Sequence, residues 1–585
     1  MHDLRTRLLA IAIGLVFATS GEADERLDLL KHISASGAPA LTLKMLDQAQ
    51  PKFDENLYAW ILWEQERLSI LVKWQQWDEL LVRLESLPSD IPLPFKQQTV
   101  TYEVRAYLAL QQTDTARQIL REQLWQIGGA ESAEYELWRQ LIIRSYLADN
   151  RVEDARIAML RFDQDFDNQN IDWLLLRAQV LIDLGRYEQA NAILRDQEVW
   201  QARAVRLYAS HRLQLVDHTE IWRQVERRSQ QADVGSEELA SIWALGYFVA
   251  SKMSPVDRVV ALESLFRISA LSPIELFQLP VDLLWDAYVE YAVLIGNRAE
   301  LLRGDDEAWY ALAQKSSQLT PVKSRALFAM LMLQSTDPQI VNRAGGAYLD
   351  TFAEIDEAER RLIENLFNRS DTFSSAQKIP PRIRYQLVDL ALQTADIVEA
   401  TRLMSGLNTV PDDTSAFDWQ LRQSRVLILG GRYDEGNRVL HSLIDGYQEP
   451  SPEQTDRILQ VLFDLQSVGL DADAITHFNQ LLLVDIESRR RREILYWIAD
   501  SYRALQQYDR AALLYLQSAM MPGPDSMDPW AQTARFSAAE SLQSSGLIDD
   551  ARRIYDALLR VTDDPARRSV LNHKIQQLWL HQSAE

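Results

Sequence analysis

Cysteine is absent from all 585 residues, which excludes a disulfide framework, a thiolate zinc site, a cysteine nucleophile and the lipidated cysteine of a bacterial lipoprotein. Histidine is scarce, and the eight present stand singly, without the paired spacing on one helix face that metal-dependent hydrolysis requires. Glycine-rich phosphate loops, nucleophile elbows and dinucleotide fingerprints are missing too. Neither a cofactor nor a metal is expected. Beyond about the first 20 residues no stretch is long and apolar enough to span a bilayer, and no segment alternates apolar residues between hairpin turn dipeptides over several strands. A separate β domain is therefore not expected.

What the chain does carry is negative charge, a formal −23 spread along its length, which opposes extended binding to nucleic acid phosphates or anionic lipid. No nucleic acid partner is expected. The amino terminus differs from the rest: Met1 to Arg7 is short and basic, Leu8 to Ala18 is apolar, and small residues follow at Ala18-Thr19-Ser20 and Gly21-Glu22-Ala23. That is the layout of a cleavable secretory leader over residues 1–23, too short to cross a membrane as a helix. The expected location is the periplasm. With 47% hydrophobic residues the chain has ample core material, yet it exceeds the size at which one compact core keeps growing, so it must divide or stack repeats.

Internal repetition supplies the organising signal. Ile171 to Gln197 and Ser415 to Ser442 both read helix, tight turn, helix, with the turns Gly185-Arg186-Tyr187 and Gly431-Arg432-Tyr433. Small residues recur twelve apart around each turn, as Ala178 and Ala190, Ser424 and Gly436, Ala499 and Ala511, Ala539 and Ala551. Larger residues follow at helical spacing, Leu194, Leu440, Tyr515 and Tyr555. The succession Leu495, Ile498, Ala499, Tyr502, Tyr508, Ala511, Tyr515, Ser518, with Pro522 after it, resembles the tetratricopeptide repeat family. From Ala400 through Gly436, Ala474 and Ala511 to Ala551 the steps are 36, 38, 37 and 40 residues, longer than the family's period of about 34.

Weaker copies are in phase over Tyr135 to Phe166, Arg382 to Leu407 and Thr455 to Leu483, and a degraded pattern reaches Trp77, Leu80, Leu84 and Ala116. From about Trp200 to Pro380 the small-residue rhythm is lost, while helical amphipathicity persists over Ser241 to Lys252, Val259 to Leu271 and Ala326 to Gln334. Ser254-Pro255, Ser272-Pro273 and Thr320-Pro321 there read as helix starts. The expected fold is all-α, an α-solenoid of antiparallel helix pairs forming a right-handed superhelix like that of the family, with an irregular helical middle. Its divisions are the leader, repeats over 24–200, an irregular region over 201–380, the most regular repeats over 381–563 and a capping helix over 564–585.

Few groups invite a chemical reading. Asp163, Asp165 and Asp167 alternate like calcium ligands, but Asn168 stands where such a loop needs glycine and Leu174 where it needs glutamate. Glu540-Ser541 matches the catalytic dipeptide of lytic transglycosylases, yet only about 45 residues follow, too few for a lysozyme-like domain. Arg489 to Arg492 is a run of four positive charges beside Asp485, Glu487 and Glu493, a solvated helix entry that could also receive an acidic peptide. Trp60, Trp63, Trp74 and Trp77 gather in one early helical pair, as core or as stacking platforms. The family resemblance implies a concave face made by the first helix of each repeat; there it places Gln179, Arg425, Asp500, Arg503 and Glu540, which do not form the family's lysine and asparagine clamp. With Arg491 these are the candidate partner-binding residues. The expected function is a non-enzymatic periplasmic scaffold for protein partners of the cell envelope; the alternative is a protein binding peptidoglycan or exopolysaccharide through its tryptophans.

Overall fold

The structure, a computed structural model, describes residues 20–35, 39–127, 133–166, 168–316, 320–411, 414–446, 451–483, 487–521, 523 and 526–582. The leader expected over residues 1–23 lies outside the described residues as far as residue 19, and Asp167, Asp485 and Pro522 lie outside them as well. Among the described residues there are 31 α-helices and no strand. No helix of the described residues is long and apolar enough to cross a membrane.

The helices pair through one recurring turn. In Leu57–Lys73 with Trp77–Glu85, Leu93–Ala109 with Thr113–Ile127, Ala133–Ala148 with Val152–Asp165, Ile171–Asp183 with Tyr187–Ile193, and again from Pro381–Gln393 with Ile397–Met404 to Pro529–Ser544 with Ile548–Val561, a residue of positive φ stands two positions before the second helix. Each such turn closes by a bond from the next residue's N–H back into the first helix. Gln112 to Tyr107 at 2.8 Å, Arg186 to Leu181 at 2.7 Å and Leu547 to Leu542 at 2.9 Å are three of them. This satisfies carbonyls that a helix end leaves open. Glycine fills the position at 185, 431, 469 and 546, but Gln75, Gln111, Asn150, Ala395 and Gln506 adopt the same left-handed conformation. The hairpin is therefore regular where the glycine signal is lost.

Every small residue singled out by the twelve-residue rhythm is buried, and so are Leu194, Leu440, Tyr515 and Tyr555. Close approach is the cause at Gly436, where an added Cβ would stand 2.7 Å from Ile428. Gly430 is tighter still, since its Cβ would overlap the Thr401 side chain. Core clusters run from one pair to the next, as in Ile143, Ala155, Phe162, Trp173 and Val180, which is the nearest-neighbour stacking of a helical solenoid. Pro565–Gln582 closes the series with Leu571 and Leu578 buried.

The chain forms two compact units. One comprises residues up to Met253 together with Ala270–Gln278; the other comprises Ser254–Ser269 and everything from Leu279. Two expectations for the middle are corrected. The helix expected over Val259 to Leu271 is Pro255–Phe266 and ends before the chain returns to the first unit. Ser272-Pro273 starts no α-helix: the Ser272 hydroxyl accepts the Ile274 N–H at 3.1 Å and meets Ser241 Oγ at 2.7 Å, tying the segment down. Ser254 and Thr320 do precede helices with proline in the first turn, although neither side chain caps.

In the second unit the irregular helices are organised around one buried carboxylate. Glu263 Oε1 accepts from Arg325 Nε at 2.8 Å and from the Tyr288 hydroxyl at 2.7 Å, and Oε2 accepts from Arg325 Nη2 at 2.6 Å. Tyr348 stands 3.2 Å from Tyr288, oxygen to oxygen. Burial pushes the Glu263 carboxyl up, but the Arg325 bonds and charge, with Arg267 nearby, outweigh it and hold the group below the ordinary glutamate range. Four helices thus share one ion-paired centre.

Candidate functional site

The first helix of each pair carries the expected binding residues, and the two units treat that helix differently. In the second unit, successive first helices are linked by ion pairs one repeat apart. Asp418 pairs with Arg457 at 2.5 Å, Arg425 with Asp464 at 2.7 Å, Asp456 with Arg490 at 2.6 Å and Arg492 with Asp528 at 2.7 Å. Asp389 with Arg422 opens this ladder, and Glu540 with Lys574, at 2.8 Å, ends it. Asp500 accepts from Arg503 at 2.6 Å and from the Tyr515 hydroxyl at 2.8 Å. The candidates Arg425, Asp500, Arg503 and Glu540 are thus spent on neighbouring repeats and on each other.

The basic run at 489–492 is committed as well. Arg489 and Arg490 meet Glu493, Arg491 donates to the Leu482 carbonyl at 3.2 Å, and Arg492 holds Asp528 and the Ser518 carbonyl. Hydrogen bonding to Arg492 keeps the Asp528 carboxyl well below its usual range. Asp528 in turn caps the helix Pro529–Ser544 by accepting from the N–H groups of Trp530 and Ala531.

The first unit leaves its first-helix face more open. Gln179, half-buried on Ile171–Asp183, has no hydrogen-bond partner among the described residues. Six positions before the turn, the register of Gln179, Arg425, Asp500 and Glu540, the preceding pairs carry Arg105 and Arg144. Arg105 is exposed and unpaired among the described residues. Arg144 meets Glu275 from the returning segment, and burial, with Arg105 beside it, holds its guanidinium below the ordinary range. On Leu57–Lys73 burial pushes the Glu66 carboxyl up, and on Leu93–Ala109 it pushes up Glu103, to which Glu85 adds repulsion. Asp183, exposed at the end of its helix, is raised to about 6 by desolvation alone. Sequence reasoning missed Arg105 and Arg144 because glutamine and asparagine replace the turn glycine at 111 and 150, which hid the register.

The remaining candidates fall outside this face. Asp163 and Asp165 pair with Arg177 and Arg139. Trp60 and Trp63 are core residues, Trp77 packs against the same core, and Trp74 is exposed. Elsewhere Trp125 is 89% exposed.

No protein-family model and no curated protein matches the chain. Among solved structures it is similar to yeast Tom70, at 10% identity over 83% of this chain and 96% of that one, with a TM-score of 0.22. It is similar also to the APC/C hetero-tetramer Cut9-Hcn1, at 11% identity over 87% and 95%, TM-score 0.22, and to Naa15/Naa10 bound to HypK-THB, at 10% over 95% and 96%, TM-score 0.17. The architecture rests on this chain's own helix order and turn geometry.

Proposed function

We propose that the protein is a non-enzymatic scaffold that holds protein partners on the first-helix face of its hairpins, chiefly in the amino-terminal unit. The observation that carries this reading is the contrast between the units: the carboxyl-terminal one links its first helices by ion pairs, whereas the other leaves Glu103, Arg105, Gln179 and Asp183 without partners among the described residues. Keeping a carboxylate crowded and unpaired costs stability, and a partner supplying the complementary group recovers that cost on binding. A face built from successive helices suits an extended peptide or a partner helix, since each repeat adds a modest contact.

The proposal extends to place. The basic and apolar layout of residues 1–23 supports export to the periplasm, with partners in the cell envelope. Affinity capture of the full chain after in-cell cross-linking tests the scaffold role: a small set of envelope proteins is expected with the wild type, reduced by Arg105→Glu. No enrichment over an unrelated exported protein contradicts it. Amino-terminal sequencing tests the export, with a new terminus expected near Ala23; a chain that retains Met1 in the cytosol contradicts it. The exposed Trp125 and Trp74 favour a second reading, glycan stacking, for which a fluorescence change on titration with cell-wall fragments is the expected sign.

A further inference from the structure

At the far end of the first unit the helices Trp200–Arg212, His218–Ser229 and Ser236–Ala250 meet around a cleft of about 740 Å³. Tyr208 and Phe248 form an aromatic wall, with ring centroids 4.9 Å apart, backed by Phe277 of the returning segment. Four basic side chains line the rest: His211 and Arg212 at the end of one helix, His218 at the start of the next, and Lys252 just past the third. In a chain of net charge −23 this is an island of positive charge.

Its cations are uncommitted where those at 489–492 are not. Among the described residues Arg212 meets the Tyr208 hydroxyl, at 3.4 Å, and the Tyr187 ring, at 5.0 Å. Neither it nor His211 nor Lys252 pairs with a carboxylate among the described residues. The one carboxylate on the rim, Asp217, is held by the Thr219 hydroxyl and lies 3.3 Å from His218.

We propose that this cleft receives an acidic peptide segment of a protein partner, its carboxylates on Arg212, Lys252 and the imidazoles and an apolar side chain against Tyr208 and Phe248. The inference rests on the scaffold reading and names the chemistry of the partner. The basic side chains come from three helix ends, which matches separate monoanionic carboxylates, and Asp217 at the mouth repels a compact dianion such as a phosphate monoester more strongly than it repels single carboxylates. Bidentate pairing with a guanidinium is the strong form of carboxylate recognition.

The cleft also makes binding depend on pH. Burial first, and then the charges of His218, Arg212 and Lys252, hold His211 below its ordinary range, so it stands neutral in the empty cleft at neutral pH. An entering carboxylate reverses that repulsion and draws a proton onto the ring. The other ionisable groups in and near the cleft act in the same sense or not at all: Asp183, whose charge bears on Tyr208, loses that charge near pH 6, while Tyr208 stays neutral, Asp217 is held below its ordinary range by the Thr219 hydroxyl and keeps its charge, and Glu275 is held by Arg144. Acid therefore tightens binding.

The test uses the full chain and a fluorescein-labelled peptide of six glutamates around one phenylalanine, read by anisotropy at pH 6 and pH 8, with the glutamine analogue as control. The expected result is binding of the acidic peptide alone, about tenfold tighter at pH 6, weakened at least tenfold by the pair Arg212→Glu and Lys252→Glu, with unchanged circular dichroism. His211→Gln is expected to keep binding at pH 8 and to reduce the gain at pH 6. Equal binding of the glutamine peptide, unaltered affinity of the double variant, or preferential binding of inorganic pyrophosphate overturns the assignment. Partner capture separates the two levels of inference: partners retained by the double variant leave the scaffold standing and sink the cleft, whereas no partners for the wild type sink the scaffold itself.

Discussion

At the scale of single residues, the protein tolerates strain in its turns and ionised groups in its core, the Glu263–Arg325 pair among them. Among the described residues six left-handed turn positions lack glycine, and each side chain there costs about 1 kcal/mol against the glycine conformation, offset in part by the entropy glycine loses on folding. Ala395→Gly and Gln506→Gly are expected to raise the unfolding midpoint slightly and Gly431→Ala to lower it, as thermal melts will show. Arg325→Met strands a buried carboxylate at Glu263 and is expected to cost about 3–5 kcal/mol, most of it regained when Glu263→Leu accompanies it; urea unfolding measures both.

Two of the perturbed carboxylates, Glu263 and Asp183, respond to pH with opposite signs. Glu263 is depressed in the fold, so its contribution is present above its unfolded value near 4.5 and is lost as pH falls through the lower folded value. Asp183 is raised, so its contribution is present below its unfolded value of 3.8 and is lost as pH rises through about 6. Asp183→Asn is expected to flatten the pH dependence of the unfolding midpoint between about pH 4 and pH 6. Its solvent-exposed tip keeps that effect modest.

At the scale of elements, the hairpin was legible wherever glycine and the small-residue rhythm coincide, as at 185 and 431, because glycine takes the left-handed turn without strain and the buried small residues Ala178, Ala190, Ser424 and Gly436 mark close helix packing. It was weaker at 150 and 395 and degraded at 111, where tertiary packing holds an ordinary residue in a left-handed turn and local preference is overridden. Proline after a hydroxyl residue marked real helix starts at 254 and 320 but misled at 272, where the serine hydroxyl is used across to Ser241 instead. Ion pairs between successive repeats were invisible, since partners 33 to 39 residues apart share no local pattern. Capping offers a direct check on an element. Asp528 holds two N–H groups of Pro529–Ser544 and the Arg492 guanidinium together, so Asp528→Ala is expected to destabilise the last repeats by about 1–2 kcal/mol, seen as earlier hydrogen exchange over 529–561.

At the scale of the whole molecule, stacked hairpins make stability a sum of local terms, and the chain is divided into two compact units. Arg325→Met is therefore expected to move one unfolding transition and leave the other in place, in place of a single cooperative shift. The open face of the first unit, against the ion-paired face of the second, locates the proposed scaffold activity. Site-specific photo-cross-linking in cells tests that location most directly, with the probe at Arg105, at Gln179 and, on the second helix of a pair, at Glu153. Protein adducts from Arg105 and Gln179 but not from Glu153 are the predicted result; equal adducts at all three positions, or none at any, contradict it.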